Sequence, residues 1–83
     1  MDKTQLAYAH HSKLKDYHDK EINNSKNVYD EWSHEVTSMY HFNCMRAIRK
    51  NNRELTNNEK REIFQNTQSN HLKNVIKAIK LRK

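Results

Sequence analysis

In 83 residues the chain contains neither glycine nor proline. Glycine reaches positive φ without steric cost and proline fixes turns and stops helices, so their joint absence removes the usual punctuation of compact β structure. Asparagine can replace glycine at single left-handed positions, but a sheet would need that replacement at every tight hairpin. The expectation is an all-α fold: a small bundle of three or four helices with no sheet, forming one domain over residues 1–83. Phosphate-cradling loops and dinucleotide-binding turns are excluded on the same ground, because they need glycine where the backbone approaches the ligand.

Three helical segments are expected, at about 3–22, 26–51 and 57–81. Asp2 stands as an N-cap for the first, whose thin apolar face runs through Leu6, His10, Leu14 and Tyr17. Asn23, Asn24 and Ser25 interrupt it, since their side chains compete for backbone hydrogen bonds. In the second segment Val28, Trp32, Val36, Met39, Tyr40, Cys44, Ala47 and Ile48 recur at helical steps and mark the central core helix. Asn51-Asn52 ends it. Thr56-Asn57-Asn58-Glu59 is a capping box that opens the third segment, whose apolar side continues through Ile63, Phe64, Leu72, Val75, Ile76 and Ile79. The run Asn66-Thr67-Gln68-Ser69-Asn70 is polar enough to divide this segment into two helices, the fourth-helix alternative of the bundle.

Only 34% of the residues are hydrophobic. A core in a chain of this size rarely supplies more than roughly 3–5 kcal/mol, so a homodimer or a partner helix is a natural way to complete it. The first residues contain no apolar stretch suited to a signal peptide or a bilayer, and the single Cys44 cannot form an internal bridge, which points to a cytoplasmic setting.

Charge is divided unevenly. Residues 1–41 hold five Lys+Arg and seven Asp+Glu, a net of −2, whereas residues 42–83 hold eleven and three, a net of +8. Arg46, Arg49, Lys50 and Arg53 follow the i, i+3, i+4, i+7 pattern of one helix face. Lys73, Lys77, Lys80, Arg82 and Lys83 extend the basic character to the C-terminus. One explanation is a solvated face with cations suited to helix C-termini. The other is contact with phosphates, and the nine cations together exceed what helix ends require. A basic amphipathic helix could also lie on an anionic membrane, but the C-terminal apolar stripe is short and has no aromatic residue, so membrane association is not expected.

Other chemistry is less well supported by the residues. His41 and Cys44 share the i, i+3 spacing of two metal ligands, with His34 or His71 as further donors, yet structural zinc needs four ligands and Cys44 lies among apolar neighbours. As a nucleophile and base the same pair lacks an orienting third group. Asp16, Asp19, Glu21, Asp30, Glu31 and Glu35 alternate with lysines as on an exposed helix. No catalytic, metal or cofactor site is expected, and the chain reads as a non-enzyme. His10, His11 and His18 read as surface residues. Trp32, flanked by Tyr29 and Tyr40, could stack on single-stranded bases, but its place in the apolar stripe favours a core role.

From Arg46 to Glu59 the string RAIRKNNRELTNNE resembles the central stretch of the Hha/YmoA family, through Arg46, Ile48, Lys50, Asn51, Glu54, Leu55, Thr56 and Glu59. The resemblance implies a compact helical fold and a role in nucleoid or gene-expression control through a DNA-coating partner. Where that family places acidic residues that hold its partner's arginines, this chain has Met45, Arg49 and Gln68, a change that points to a more direct meeting with phosphate.

The expected function is therefore modulation of nucleic-acid transactions. The partner would be DNA rather than RNA, a DNA-associated protein, or both. The alternative is a protein-interaction module, such as a phage-encoded inhibitor or adaptor working beside a recombination or repair helicase.

Overall fold

The computed structural model describes residues 2–81, which form three helices: α1 (Lys3–Asn23), α2 (Val28–Asn51) and α3 (Asn57–Leu81). Each start is fixed by a side chain that satisfies a free amide of the first turn. Asp2 accepts from the Gln5 amide at 2.8 Å, and Asn27 accepts from the Asp30 amide at 2.8 Å. At α3, Thr56 Oγ1 accepts from the Glu59 amide at 3.2 Å while Glu59 Oε1 accepts from the Thr56 amide at 2.9 Å. This is the reciprocal capping box expected from the sequence. Asparagine does glycine's work at the end of α2, where Asn52 adopts φ 54° in the left-handed region.

The third segment is not divided. α3 runs unbroken through Asn66–Asn70 because only Thr67 of that run faces inward, and its hydroxyl is engaged twice. It donates to the Ile63 carbonyl at 2.7 Å and accepts from Asn43 Nδ2 at 3.0 Å. The other four side chains are exposed, and water satisfies them without breaking the helix.

α2 is the common element, since α1 and α3 both pack on it and, among the described residues, their backbones do not approach each other closely. Cross-helix contacts show both pairs to be antiparallel: His11 with His41 and His18 with His34 for α1 and α2, Asn43 with Thr67 and Glu35 with His71 for α2 and α3. The result is a flat, elongated body measuring 49 × 24 × 17 Å. Among the described residues no helix is long and apolar enough to cross a membrane.

The apolar core is small and lies toward the C-terminal end of α2. Cys44, Ile48 and Leu55 are buried, with Ala7, Tyr8, Tyr40, Ala47 and Ile63 packed around them. The N-terminal half of the expected α2 stripe is not enclosed: Val28 is 50% exposed and Met39 37%. Trp32 is partly buried between α2 and α3.

The expectation that His11 and His18 are surface residues is overturned. His11 is buried against His41, and His18 is half-buried against His34; of the three only His10 is exposed. Histidine carries enough ring surface to fill a helix seam when its nitrogens find partners.

Because Ile48 is fully buried at the junction of all three helices, Ile48→Ala is expected to cost about 2–5 kcal/mol in urea unfolding at neutral pH. An equal truncation at Leu72, which is 59% exposed, should change the unfolding midpoint far less.

Candidate nucleic-acid interface

The antiparallel arrangement separates the basic residues into two groups. Arg46, Arg49 and Lys50 occupy the last two turns of α2, beside the start of α3. Lys73, Lys77 and Lys80 occupy the last turns of α3, beside the start of α2. Measured from the Asn43–Thr67 contact at 1.5 Å per residue, Lys50 and Lys77 lie roughly 25 Å apart along the bundle. One continuous basic face is therefore not formed. Arg82 and Lys83 lie outside the described residues.

Arg53 also leaves the expected ridge. The helical spacing that would align it with Arg46 ends at Asn52, and its guanidinium makes two parallel bonds to Glu59, Nη1 to Oε1 and Nη2 to Oε2, both 2.8 Å. Glu59 thus closes the α2–α3 connection from both sides, through Arg53 and through the Thr56 amide. The Arg53 contact, then the Thr56 bonds, hold the Glu59 carboxyl down to about 2.

The fold adds cations that the linear pattern did not include. Because α1 is antiparallel to α2, the first turn of α1 sits at the basic end. Lys3 and Lys60 line one cleft of ≈ 500 Å³ together with His10, Glu54 and Leu55. On another side Arg49 lies with Thr4, Gln5 and Tyr8. Arg61 is exposed on the first turns of α3. One end of the body therefore gathers Lys3, Arg46, Arg49, Lys50, Arg53, Lys60 and Arg61 against Asp2, Glu54, Glu59 and Glu62. The N-termini of α1 and α3 face the same end and contribute their positive dipole ends against the single negative C-terminal end of α2. A sequence signal existed for this: capping positions at Asp2 and Thr56 with lysines just inside the helices they open.

The far end has mixed charge. Lys73, Lys77 and Lys80 share it with Asp30, Glu31 and Glu35, and Glu35 Oε2 accepts from His71 Nε2 at 3.0 Å. These three lysines are balanced by three carboxylates, whereas the seven cations named at the end around Arg49 and Lys50 exceed its four carboxylates.

Arg46 is exposed and its guanidinium lies 5.9 Å from the centre of the Phe42 ring, with Lys15 6.0 Å from the same ring. Phe42 is itself 45% exposed, so Arg46 has an aromatic support at the rim of the basic end. Tyr29 packs edge-on to Trp32 with centroids 6.0 Å apart at the opposite end, away from these cations. A stacking platform and the basic group do not coincide.

Among the described residues no group of three or more His, Cys, Asp or Glu side chains converges as a metal ion requires. Cys44 is fully buried, and burial pushes its thiol up from the ordinary value. Burial and the neighbouring Cys44 push the Tyr40 hydroxyl up to about 12. No protein-family model matches the chain, and no curated protein or solved structure is significantly similar to it.

The state of Glu59 sets a pH signature for the junction beside this end. Its carboxyl is lowered on folding, so its contribution is present above about 4.5 and is lost as pH falls through about 2. The stability difference between wild type and Glu59→Gln, followed by circular dichroism, is expected to be full at pH 5 and to shrink toward zero near pH 2.

Proposed function

We propose that the protein binds the phosphate backbone of nucleic acid, DNA in preference to RNA, through the end formed by Lys3, Arg46, Arg49, Lys50, Lys60 and Arg61, and so modulates transactions on it. The observation that carries this reading is the convergence of cations from three helices on one end, where Asp2 alone of the seven acidic residues of the first half is found. Each phosphate neutralised releases condensed counterions, so such an end gives affinity with steep salt dependence and little base readout.

In this reading Arg53 holds the α2–α3 junction and Lys73, Lys77 and Lys80 are secondary. The Arg46–Glu59 stretch that resembles the Hha/YmoA family spans this junction. Ile48 and Leu55 are its buried members, and Thr56 and Glu59 are its cap. The shared positions thus build the corner on which Arg46, Arg49 and Lys50 are displayed. A role beside a DNA-coating protein is compatible with the same end.

A second reading, an interaction module completed by a partner or a second copy, draws on a different surface. Leu72, Ile76 and Ile79 are 59%, 43% and 48% exposed along the outer half of α3. Sedimentation over a range of concentrations tests it: this reading expects self-association or partner capture that Ile76→Glu abolishes, and neither is required by phosphate binding.

Fluorescence anisotropy with labelled duplex and single-stranded DNA tests the first reading. Arg49→Gln with Lys50→Gln is expected to weaken binding equally across sequences and to reduce the slope of log K against log salt by about 2 on a duplex. Lys73→Gln with Lys77→Gln should leave that slope nearly unchanged. Absence of binding at low salt, or an equal loss from both pairs, would contradict the assignment.

A further inference from the structure

We infer that the seam between α1 and α2 is a proton-operated latch: two histidine pairs hold α1 against α2 at neutral pH, and protonation of the pairs releases α1 and uncovers the α2 surface beneath it. His11 and His18 are one heptad apart on α1, as are His34 and His41 on α2. In the antiparallel hairpin this spacing sets His11 opposite His41 and His18 opposite His34, each pair with Nδ1···Nδ1 at 2.9 Å. The rings continue in one column, with centroids 5.1 Å apart in His11–His41, 6.0 Å and stacked in His41–His18, and 5.1 Å in His18–His34.

Each Nδ1···Nδ1 contact joins one N–H donor to one lone pair, so at least one ring of each pair must lack a proton at that nitrogen. A first added proton goes to Nε2 of one ring and leaves the bond intact. A second puts two N–H groups and two cations face to face, and the contact cannot persist.

The charges around the column are unequal. At the His18–His34 end, Asp30 Oδ1 lies 3.5 Å from His34 Nε2, and Asp19 and Glu21 favour a proton on His18. Lys15 is held by Asp19 at 2.6 Å, and Asp19 also accepts from the Ser38 hydroxyl. At the His11–His41 end the facing groups are His10 on α1, Tyr40 and Cys44 on α2, Lys60 on α3 and Glu54, which lines the cleft beside His11; among the described residues no carboxylate is ion-paired with either ring. Tyr40 stays neutral, being pushed up to about 12. The His11–His41 pair is therefore the weak link.

Burial first, then His11, His18 and His10, hold His41 down to about 4 from 6.5; burial first also lowers His11 and His18. The unfolded chain takes up these protons at a higher pH than the packed seam does. Stability from the seam is thus complete above about 6.5 and is lost as pH falls through about 4. The latch operates whatever the basic end binds, and it responds within the range where histidine titrates.

The single cysteine provides the readout. Cys44 lies one turn beyond His41, fully buried and without a disulfide partner. Its labelling by 4,4′-dithiodipyridine, which reacts with thiols in acid, is measured at pH 7.5 and 5.0 with EDTA present. Each rate is divided by that of the urea-unfolded protein at the same pH. Protection of Cys44 is expected to fall roughly 30-fold at pH 5.0 from His41 alone, and further with His11 and His18. Asp19 and Glu59 both have lowered carboxyls and stay ionised at pH 5.0, so neither accounts for the change.

In His11→Gln/His41→Gln, where an amide pair can bond across the seam without titrating, protection at pH 5.0 is expected to fall far less than in the wild type, by the His18 share alone. Unchanged wild-type protection, or an equal loss in the double variant, overturns the latch. Should the double variant fail to fold at pH 7.5, the imidazole titration of the wild type by NMR decides: a His41 midpoint near 4 supports the latch, and one near 6.5 overturns it.

Discussion

The contact between α1 and α2 sets the position of everything else in this molecule. α3 packs on α2 alone, and the core of Cys44, Ile48 and Leu55 is closed on the α1 side by Ala7 and Tyr8. The same contact brings the first turn of α1 beside Arg49, which is what adds Lys3 to the basic end. A slip of one turn between the two helices would misplace both the core and the charges. The paired contacts of His11 with His41, His18 with His34 and Asp19 with Ser38 are each satisfied in one register only.

A seam built this way gives up hydrophobic stabilisation for defined alignment. Two buried apolar layers at the histidine positions would contribute more burial energy, yet a chain with so little apolar content has few directional contacts with which to choose one alignment over its neighbours. The Asn43–Thr67 and Glu35–His71 contacts do the same for α3. The cost is a body whose α2–α3 side stays open around Trp32, with Leu72, Ile76 and Ile79 left facing water.

Local features were legible wherever the deciding interaction lies within a few residues. The all-helical fold follows from the missing glycine and proline, and the interruption at Asn23, Asn24 and Ser25 and the end at Asn52 follow from the chemistry of these polar side chains; the Asn27 cap, which starts α2 two residues after the expected position 26, does not. The α3 start follows from Thr56 and Glu59. Features that need a partner from another helix were not. Asn66–Asn70 looked like a break because nothing local shows that Asn43 occupies Thr67. The i, i+7 spacing of Arg46 and Arg53 does not align them because the left-handed Asn52 turns the chain between them. The seven-residue spacing of His11 with His18 and of His34 with His41 is visible in the sequence, but only the antiparallel pairing of α1 with α2 brings the two repeats face to face. The split of the basic residues into two ends became evident only with the antiparallel topology.

The proposed phosphate-contacting end depends on that topology, and chemical-shift mapping tests it most directly. In a titration of the isotope-labelled protein with a short duplex, the account predicts that amide and side-chain signals of Lys3, Arg46, Arg49, Lys50, Lys60 and Arg61 move together, while those of Lys73, Lys77 and Lys80 stay in place. Shifts centred on the far lysines, or spread evenly over all exposed cations, would contradict it.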